Sequence, residues 1–224
     1  MRLIAKAFLS YGVGASRGKA LALVFLFAGL PATADPVRVL ALGDSLTQGY
    51  GLIAMQGFVP QLDGWLKDRG AKVDIINGGV SGDTTAGGAA RVDWSLTPDV
   101  DAMIVTLGGN DMLRGLDPAD ARANLSTILE AAAGRDLPVL LVGMRAPGNY
   151  GPEYKAAFDA IYPELADTYG VLFFGDFFAG LGEGDPAALQ GYFQPDGIHP
   201  NAEGVTRIVE ALGPKVLELI DQVE

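Results

Sequence analysis

The chain has 224 residues, of which 49% are hydrophobic and 19% are charged, and its formal net charge is −11. This proportion of apolar residues is enough to form a buried core, which excludes an intrinsically disordered chain, and the length fits one domain. The acidic balance argues against nucleic-acid binding, because a negative protein surface repels a phosphate backbone.

The first 34 residues differ in composition from the rest of the chain. Their only charged residues are four Lys and Arg, and the apolar run at residues 20–30 is followed by Pro31-Ala32-Thr33-Ala34. A positive start, a short apolar core and a small-x-small ending are typical of a secretory signal peptide, here with cleavage after Ala34. An uncleaved membrane anchor is the alternative, although about 20 apolar residues are needed to span a bilayer.

Export and the absence of cysteine together predict where the mature chain works. All 27 acidic residues but only 12 of the 16 basic residues lie beyond position 34, which leaves residues 35–224 with a formal charge of −15. With no cysteine, neither disulfides nor thiolate metal sites can form. We therefore expect a single domain over residues 35–224 in a bacterial periplasm or medium, without stable membrane insertion after signal cleavage.

Short apolar runs rich in Val, Ile and Leu recur along the remaining chain. None of them alternates strictly between apolar and polar residues, as expected of strands that are buried on both faces of a parallel sheet. The predicted strands cover residues 37–42, 73–76, 102–107, 139–142 and 171–174.

The segments between these runs have helical spacing of their apolar residues. Asp117-Pro118 is a helix start, with an acidic N-cap followed by proline at the first helical position. Strands that alternate with helices predict an α/β fold with three α/β/α layers around a five-stranded, mainly parallel, doubly wound sheet. The predicted helices cover residues 57–69, 117–134, a segment from 151 past 165, and a segment from 201 to near the C-terminus.

Glycine-rich polar loops follow the first three predicted strands, and a fourth precedes the last helix. In doubly wound sheets, ligands bind at the carboxyl ends of the strands, so the first three loops should open onto one edge. The last loop can fold back over that edge. These loops cover residues 43–49, 77–84, 108–111 and 196–200.

Together the four loops hold the groups that acyl transfer requires. Ser45 supplies a hydroxyl, and His199, the only histidine in the chain, is the residue type best suited to act as its general base. Asp196 lies three residues before His199 and can hold its ring in one tautomer. The backbone N–H groups of Ser45 and Gly82 and the amide of Asn110 are candidate donors to an oxyanion.

Each of these motifs alone is an ordinary turn, and the hypothesis depends on their occurrence together and in this order. The run Gly43-Asp44-Ser45-Leu46, with Gly82, Asn110 and His199 in later loops, resembles the GDSL or SGNH hydrolase family. The resemblance is nearest to the bacterial subgroup of periplasmic arylesterases, acyl-CoA thioesterase I and lysophospholipase L1, and it covers nearly all of residues 37–212. Further matching segments are 77–84, 107–111, 113–115, 149–151, 161–163 and 196–200.

The resemblance implies a flavodoxin-like SGNH hydrolase fold and a serine esterase or thioesterase that hydrolyses acyl or aryl esters through an acyl-enzyme. It implies that Ser45 is the nucleophile, that Asp196 and His199 complete a catalytic triad, and that Ser45, Gly82 and Asn110 form the oxyanion hole. It implies no cofactor. We expect no metal either, because the carboxylates are not grouped with the histidine.

Two segments, residues 112–116 and 146–154, are expected to flank the site. Their candidate substrate contacts are Met112, Leu113, Pro147 and Tyr150. Arg114 and Arg145 lie in the same segments and are expected to be solvated.

Two alternative functions remain open at this stage. A carbohydrate O-acetyl esterase would use the same residues on a smaller acyl group. A non-catalytic binding module would keep the fold without the chemistry, although the complete set of candidate residues argues against it. For either enzyme we expect a monomer whose partner is a small-molecule ester.

Overall fold

The computed structural model describes residues 35–182 and 189–223. At its centre lies a sheet of five parallel strands in the order β2-β1-β3-β4-β5. The predicted α/β class and five-stranded sheet are confirmed, and the sheet is parallel at every pairing. The predicted signal peptide at residues 1–34 lies outside the described residues. The strands are β1 (Val37–Gly43), β2 (Val73–Gly79), β3 (Ala102–Thr106), β4 (Val139–Val142) and β5 (Leu172–Phe174).

The burial of each strand follows from its place in the sheet. Every residue of β3 and β4 is buried, and so is every residue of β1 except Arg38. The edge strands β2 and β5 are only partly buried. Strands covered on both faces need apolar residues at consecutive positions, which is why the central strands were visible in the sequence as uninterrupted runs.

Helices cover both faces of the sheet and give the predicted three layers. On one face α2 packs against α8, and on the other α5 packs against α3 and α7. The predicted N-cap is confirmed, because the Asp117 side chain accepts from Ala119 N–H. The last helix begins where it was predicted, and the Asn201 side chain caps it by accepting from Gly204 N–H. The helices are α1 (Ser45–Gln48), α2 (Phe58–Lys67), α3 (Thr85–Ser95), α4 (Gly109–Leu113), α5 (Pro118–Ala133), α6 (Pro152–Asp159), α7 (Ile161–Tyr169) and α8 (Ala202–Ile220).

The single helix predicted after residue 151 was wrong in extent, because the structure divides it into α6 and α7 at Ala160. Pro163 explains the division. Proline has no N–H to donate to the carbonyl four residues earlier, and its ring clashes with that carbonyl, here the one of Asp159.

Helix α3 was missed by the sequence interpretation. It is rich in glycine and alanine, and of its large apolar residues only Val92 is buried, so its periodicity is weak. Its small residues have a packing reason. A Cβ atom at Gly88 would lie 2.3 Å from Leu107 Cδ1, so a side chain there would force the buried Leu107 side chain to shift.

The direction of chain progression reverses at β1. From β1 the chain moves to β2 on one side, and it then crosses to β3 on the other side of β1. The loops that leave β1 and β3 therefore diverge to opposite faces and leave a crevice between their carboxyl ends. Ser45 follows β1 and Asn110 follows β3, so the crevice lies between two of the predicted site residues.

Candidate active site

Ser45 is the first residue of α1, directly after the central strand β1. The Asp44 side chain caps this helix by accepting from Leu46 N–H at 3.0 Å. Ser45 is 9% exposed, which is enough for its hydroxyl to reach the crevice. The short turn therefore holds the hydroxyl at the carboxyl edge of the sheet.

His199 lies within hydrogen-bond distance of both other members of the predicted triad. Its Nε2 is 2.9 Å from Ser45 Oγ, and its Nδ1 is 2.7 Å from Asp196 Oδ2. Backbone N–H groups of Ile198 and His199 donate to Asp196 and, with the histidine ring, lower the pKa of this carboxyl to about 2. An ionised carboxylate only accepts, so Nδ1 carries the ring proton and Nε2 is free to accept the proton of Ser45.

The loop that carries His199 is anchored on both sides. Gly197 has a φ of 67°, which lets the chain turn back so that Asp196 and His199 meet. Gln194 N–H donates to the His199 carbonyl at 2.7 Å, and the Gln194 side chain donates to the Tyr50 carbonyl at 2.8 Å. The ring of Tyr50 lies 4.6 Å from the imidazole, centroid to centroid. The loop is thus tied to the segment that follows Ser45.

Gly82 and Asn110 line the same pocket as Ser45 and His199. Gly82 has a φ of 84°, in the left-handed region, within a turn closed by the hydrogen bond from Asp83 N–H to the Val80 carbonyl. Asn110 Nδ2 donates one proton to Asp44 Oδ2 at 3.1 Å. The amide has a second N–H, which leaves one donor for a ligand.

Asp44 and Asp111 serve as internal acceptors in this region. Asp44 accepts from the nucleophile helix and from Asn110, while Asp111 accepts from the N–H and the hydroxyl of Thr85 at 2.8 and 2.6 Å. Burial raises the pKa of Asp44 to about 6, against the lowering effect of its hydrogen bonds from Leu46 and Asn110. Each carboxylate thereby joins loops from different strands.

Two arginines hold the Gly82 turn. Arg91 on α3 donates to Asp83 at 2.7 Å through Nε and to the Gly43 carbonyl at 2.8 Å through Nη2. From the other side, Arg114 Nη2 donates to the Gly82 carbonyl at 2.8 Å. Arg91 therefore links the residue after Gly82 to the end of β1, immediately before Asp44. The sequence interpretation missed Arg91, because nothing marks one arginine in a helix that was itself not predicted.

A pocket of about 430 Å³ opens at the crevice. Ser45, Gly82, Asn110 and His199 lie along it, and the rest of its surface is mainly apolar. Several of its residues had not been singled out from the sequence because they lie far from any motif and meet only in the fold. Its large apolar side chains include those of Met112, Leu113, Met144, Phe178, Phe193 and Ile198.

The predicted flanking residues divide into two groups. Met112 and Leu113 line the pocket. Tyr150 does not, but its hydroxyl donates to the Leu113 carbonyl at 3.2 Å, and Pro147 precedes the short helical turn that carries Tyr150.

Both nearby arginines are exposed, as expected, and Arg114 in addition donates a hydrogen bond to the Gly82 carbonyl. Arg145 is 62% exposed and lies 3.8 Å from Asp176, a weak ion pair.

A hydroxyl, a correctly oriented imidazole and several N–H donors around one apolar pocket are the parts that acyl transfer uses. Within residues 35–182 and 189–223, no three His, Asp or Glu side chains are grouped as ligands for a metal ion. The fold and the geometry of the site are those of a hydrolase built on an open, doubly wound sheet.

The chain belongs to the GDSL-like lipase/acylhydrolase family, whose characteristic sequence pattern matches residues 41–207. It is 37% identical to esterase TesA of Pseudomonas aeruginosa, over 81% of this chain and 89% of that protein. It is 34% identical to thioesterase 1/protease 1/lysophospholipase L1 of Escherichia coli, over 82% of this chain and 85% of that protein.

Solved structures support the same assignment. The crystal structure of AlinE4, an SGNH-hydrolase family esterase, superimposes with a TM-score of 0.68 at 42% identity, over 84% of this chain and 98% of that one. The chain is therefore a carboxylic ester hydrolase of the GDSL/SGNH class, as its sequence motifs predicted.

The raised pKa of Asp44 predicts an unusual pH dependence of stability. The unfolded chain releases this proton near the ordinary aspartate pKa of 3.8, whereas the folded chain retains it until about pH 6. As the pH rises from about 4 to about 6, Asp44 therefore lowers the free energy of unfolding by a growing amount. Above this range the loss stays constant. Relative to wild type, the free energy of unfolding of Asp44→Asn should rise by about 2 kcal/mol between pH 4 and pH 8.

Urea denaturation of both proteins at several pH values measures this difference. Changed hydrogen bonds at the substituted amide would shift the free energy of unfolding of the variant by the same amount at every pH. A difference that is constant with pH would contradict the prediction.

Proposed function

We propose that the enzyme hydrolyses medium-chain acyl esters, with aryl esters and thioesters as related substrates, through a Ser45-His199-Asp196 triad. The observation that carries the proposal is the continuous chain of hydrogen bonds from Asp196 through His199 to Ser45, which ends at an apolar pocket. The family supports the same reaction.

In the first step, Ser45 Oγ attacks the acyl carbonyl and His199 Nε2 takes its proton. The imidazolium that forms is stabilised by Asp196, which stays ionised at neutral pH because its pKa is about 2. His199 then donates this proton to the leaving alcohol, phenol or thiol. The ester bond breaks, and the acyl group remains on Ser45.

The tetrahedral oxyanion forms against three donors: the N–H groups of Ser45 and Gly82 and the free N–H of Asn110. One such donor typically lowers the barrier by about 3–4 kcal/mol. Donors stabilise an oxyanion best when they are held in place before the reaction. The contacts that hold the Gly82 turn and Asn110 therefore contribute to catalysis. Water then attacks the acyl-enzyme with His199 as base, which releases the acid and restores Ser45.

The pocket supports acyl chains longer than acetyl. Its volume of about 430 Å³ and its apolar surface exceed what one methyl group needs. This favours the acyl esterase over the carbohydrate O-acetyl esterase. The hydrogen-bonded triad and the family argue against the non-catalytic binding module.

Location and assembly are proposed on the sequence. We infer that residues 1–34 are a cleaved signal peptide, and that residues 35–224 form a single monomeric domain in the periplasm or the medium. In residues 35–182 and 189–223, no helix is long and apolar enough to cross a membrane.

Ser45→Ala should abolish hydrolysis of p-nitrophenyl butyrate, with a loss of kcat of at least about a thousandfold, because the nucleophile is removed. A fluorophosphonate probe should label the wild type and not the variant. Ser81→Ala is the matched control, since Ser81 also lines the pocket but has no base within reach; its hydroxyl donates to Gln48 at 2.9 Å. Activity or labelling retained by Ser45→Ala would refute the proposal.

A series of p-nitrophenyl esters tests the acyl preference. We expect kcat/KM to rise from acetate to butyrate and octanoate, because each buried methylene contributes up to about 0.8 kcal/mol. A collapse of activity beyond acetate would instead support the O-acetyl esterase.

Arg91→Met should lower kcat by about 10- to 100-fold with little change in KM, because the variant frees the turn that holds the Gly82 donor. Arg91 does not line the acyl pocket, so the substrate should bind to the variant about as well as to the wild type. Steady-state kinetics below the unfolding temperature of the variant measure both constants.

Arg122→Met is the control, because it removes a surface ion pair with Glu164 on the helical layer. Arg91→Lys should recover part of kcat, since one ammonium can restore one of the two contacts. A rise in KM at unchanged kcat would contradict a positioning role for Arg91.

A further inference from the structure

The exposed large hydrophobic side chains of the protein are concentrated on one edge. Among the described residues there are nine of them, and eight lie in the loops at the carboxyl edge of the sheet. The exception is Trp94, at the end of α3, where the chain has returned to the opposite edge. Scattered exposed hydrophobic residues are normal on a protein surface, whereas clustering around a pocket indicates a contact surface.

Six of the eight form what we name the apolar rim: Tyr50, Ile53, Met55, Leu113, Tyr150 and Ile198. The rim is continuous with the catalytic pocket, because three of its members also line that pocket and Tyr150 is bonded to one of them. Ile53 and Met55 do not line the pocket, yet they are 69% and 74% exposed. They follow Tyr50 within five residues of the chain, and because they lie outside the pocket lining, an ester bound in the pocket would leave them uncovered.

The rim is electrically neutral on a strongly acidic protein. Residues 45–62, which include three of its six members, contain no Asp, Glu, Lys or Arg, although the whole chain has a formal charge of −11. Three charged groups in the neighbouring loops have partners: Asp83 pairs with Arg91, Asp196 is bonded to His199, and Arg114 donates to the Gly82 carbonyl. An apolar, uncharged surface with an acidic body behind it suits a layer without net charge and is repelled by an anionic one.

We propose that the apolar rim docks on the surface of a zwitterionic lipid layer, so that an acyl ester passes from the layer into the pocket without crossing water. This proposal rests on the proposed function, because it concerns how the substrate of that site is presented. In the docked state Ile53 and Met55 enter the boundary between headgroups and acyl chains. The pocket, which three of the rim residues line, then faces the layer directly.

The test compares the same esterase activity on a dissolved substrate and on a substrate held in a lipid layer. The substrates are p-nitrophenyl butyrate in buffer and p-nitrophenyl decanoate carried in phosphatidylcholine vesicles. The variant is Ile53→Ser with Met55→Ser, two exposed positions outside the catalytic machinery. We expect unchanged kcat/KM on the butyrate and a fall of about tenfold on the vesicle-borne decanoate, because two apolar side chains no longer enter the layer.

Three comparisons make the result decisive. Trp94→Ser removes an equally exposed hydrophobic residue outside the rim and should match wild type on both substrates. Added phosphatidylglycerol should lower the wild-type rate on vesicles, and that inhibition should weaken as salt is raised. Ser45→Ala separates the two proposals, because activity in that variant would defeat the proposed function whatever the rim does.

The docking proposal is overturned if the double variant keeps its rate on vesicles or loses both activities equally. It is also overturned if light scattering shows that wild type is a dimer and the double variant a monomer, since the rim would then be a contact between two copies of the chain.

Discussion

The reversal of strand order at β1 is the constraint on which the site depends. Because β2 and β3 pair with opposite sides of β1, the loops that leave β1 and β3 separate and leave a crevice at their carboxyl ends. Ser45 stands on one wall and Asn110 on the other, and the His199 loop closes over them. A sheet with the same strands in a simple sequential order would bring the same residues to one edge without a crevice between them.

The buried carboxylate of Asp44 joins the two walls of that crevice. It caps the helix that begins at Ser45 and accepts from Asn110 across the crevice. Its raised pKa shows that burial costs more free energy than these hydrogen bonds return. The protein retains a locally unfavourable group beside two of the proposed oxyanion donors, the Ser45 N–H and the Asn110 amide, and such groups are common at functional sites.

The proposed triad and the apolar pocket arise in different ways. The proposed triad uses close neighbours in sequence, Asp196 and His199, plus one distant residue, Ser45. The pocket collects apolar side chains from the loops after β1, β3, β4 and β5 and from the segment before α8. Its apolar surface continues outward into a neutral rim, so one face of an acidic protein combines the chemistry with the surface that a lipid-like substrate would meet.

The sequence alone determined the fold class, the five strands, the helix starts at Asp117 and Asn201, and the hydrolase family. These features depend on local signals: continuous apolar runs, caps, and loops with characteristic residues. Gly82 and Asn110 were candidate donors because of the loops in which they lie, and the resemblance implied their place in an oxyanion hole, since a glycine N–H and an amide have no local mark of their own. Helix α3, the division at Ala160 and the contacts of Arg91 and Arg114 were beyond the sequence interpretation. The arginine contacts depend on which elements approach one another, and that is decided by packing around the sheet. Helix α3 was missed because its apolar periodicity is weak, and the division at Ala160 because the local effect of Pro163 was not applied. Local patterns specify strands, helices and motifs, whereas the distances between atoms more than 100 residues apart, such as Ser45 Oγ and His199 Nε2, exist only in the tertiary structure.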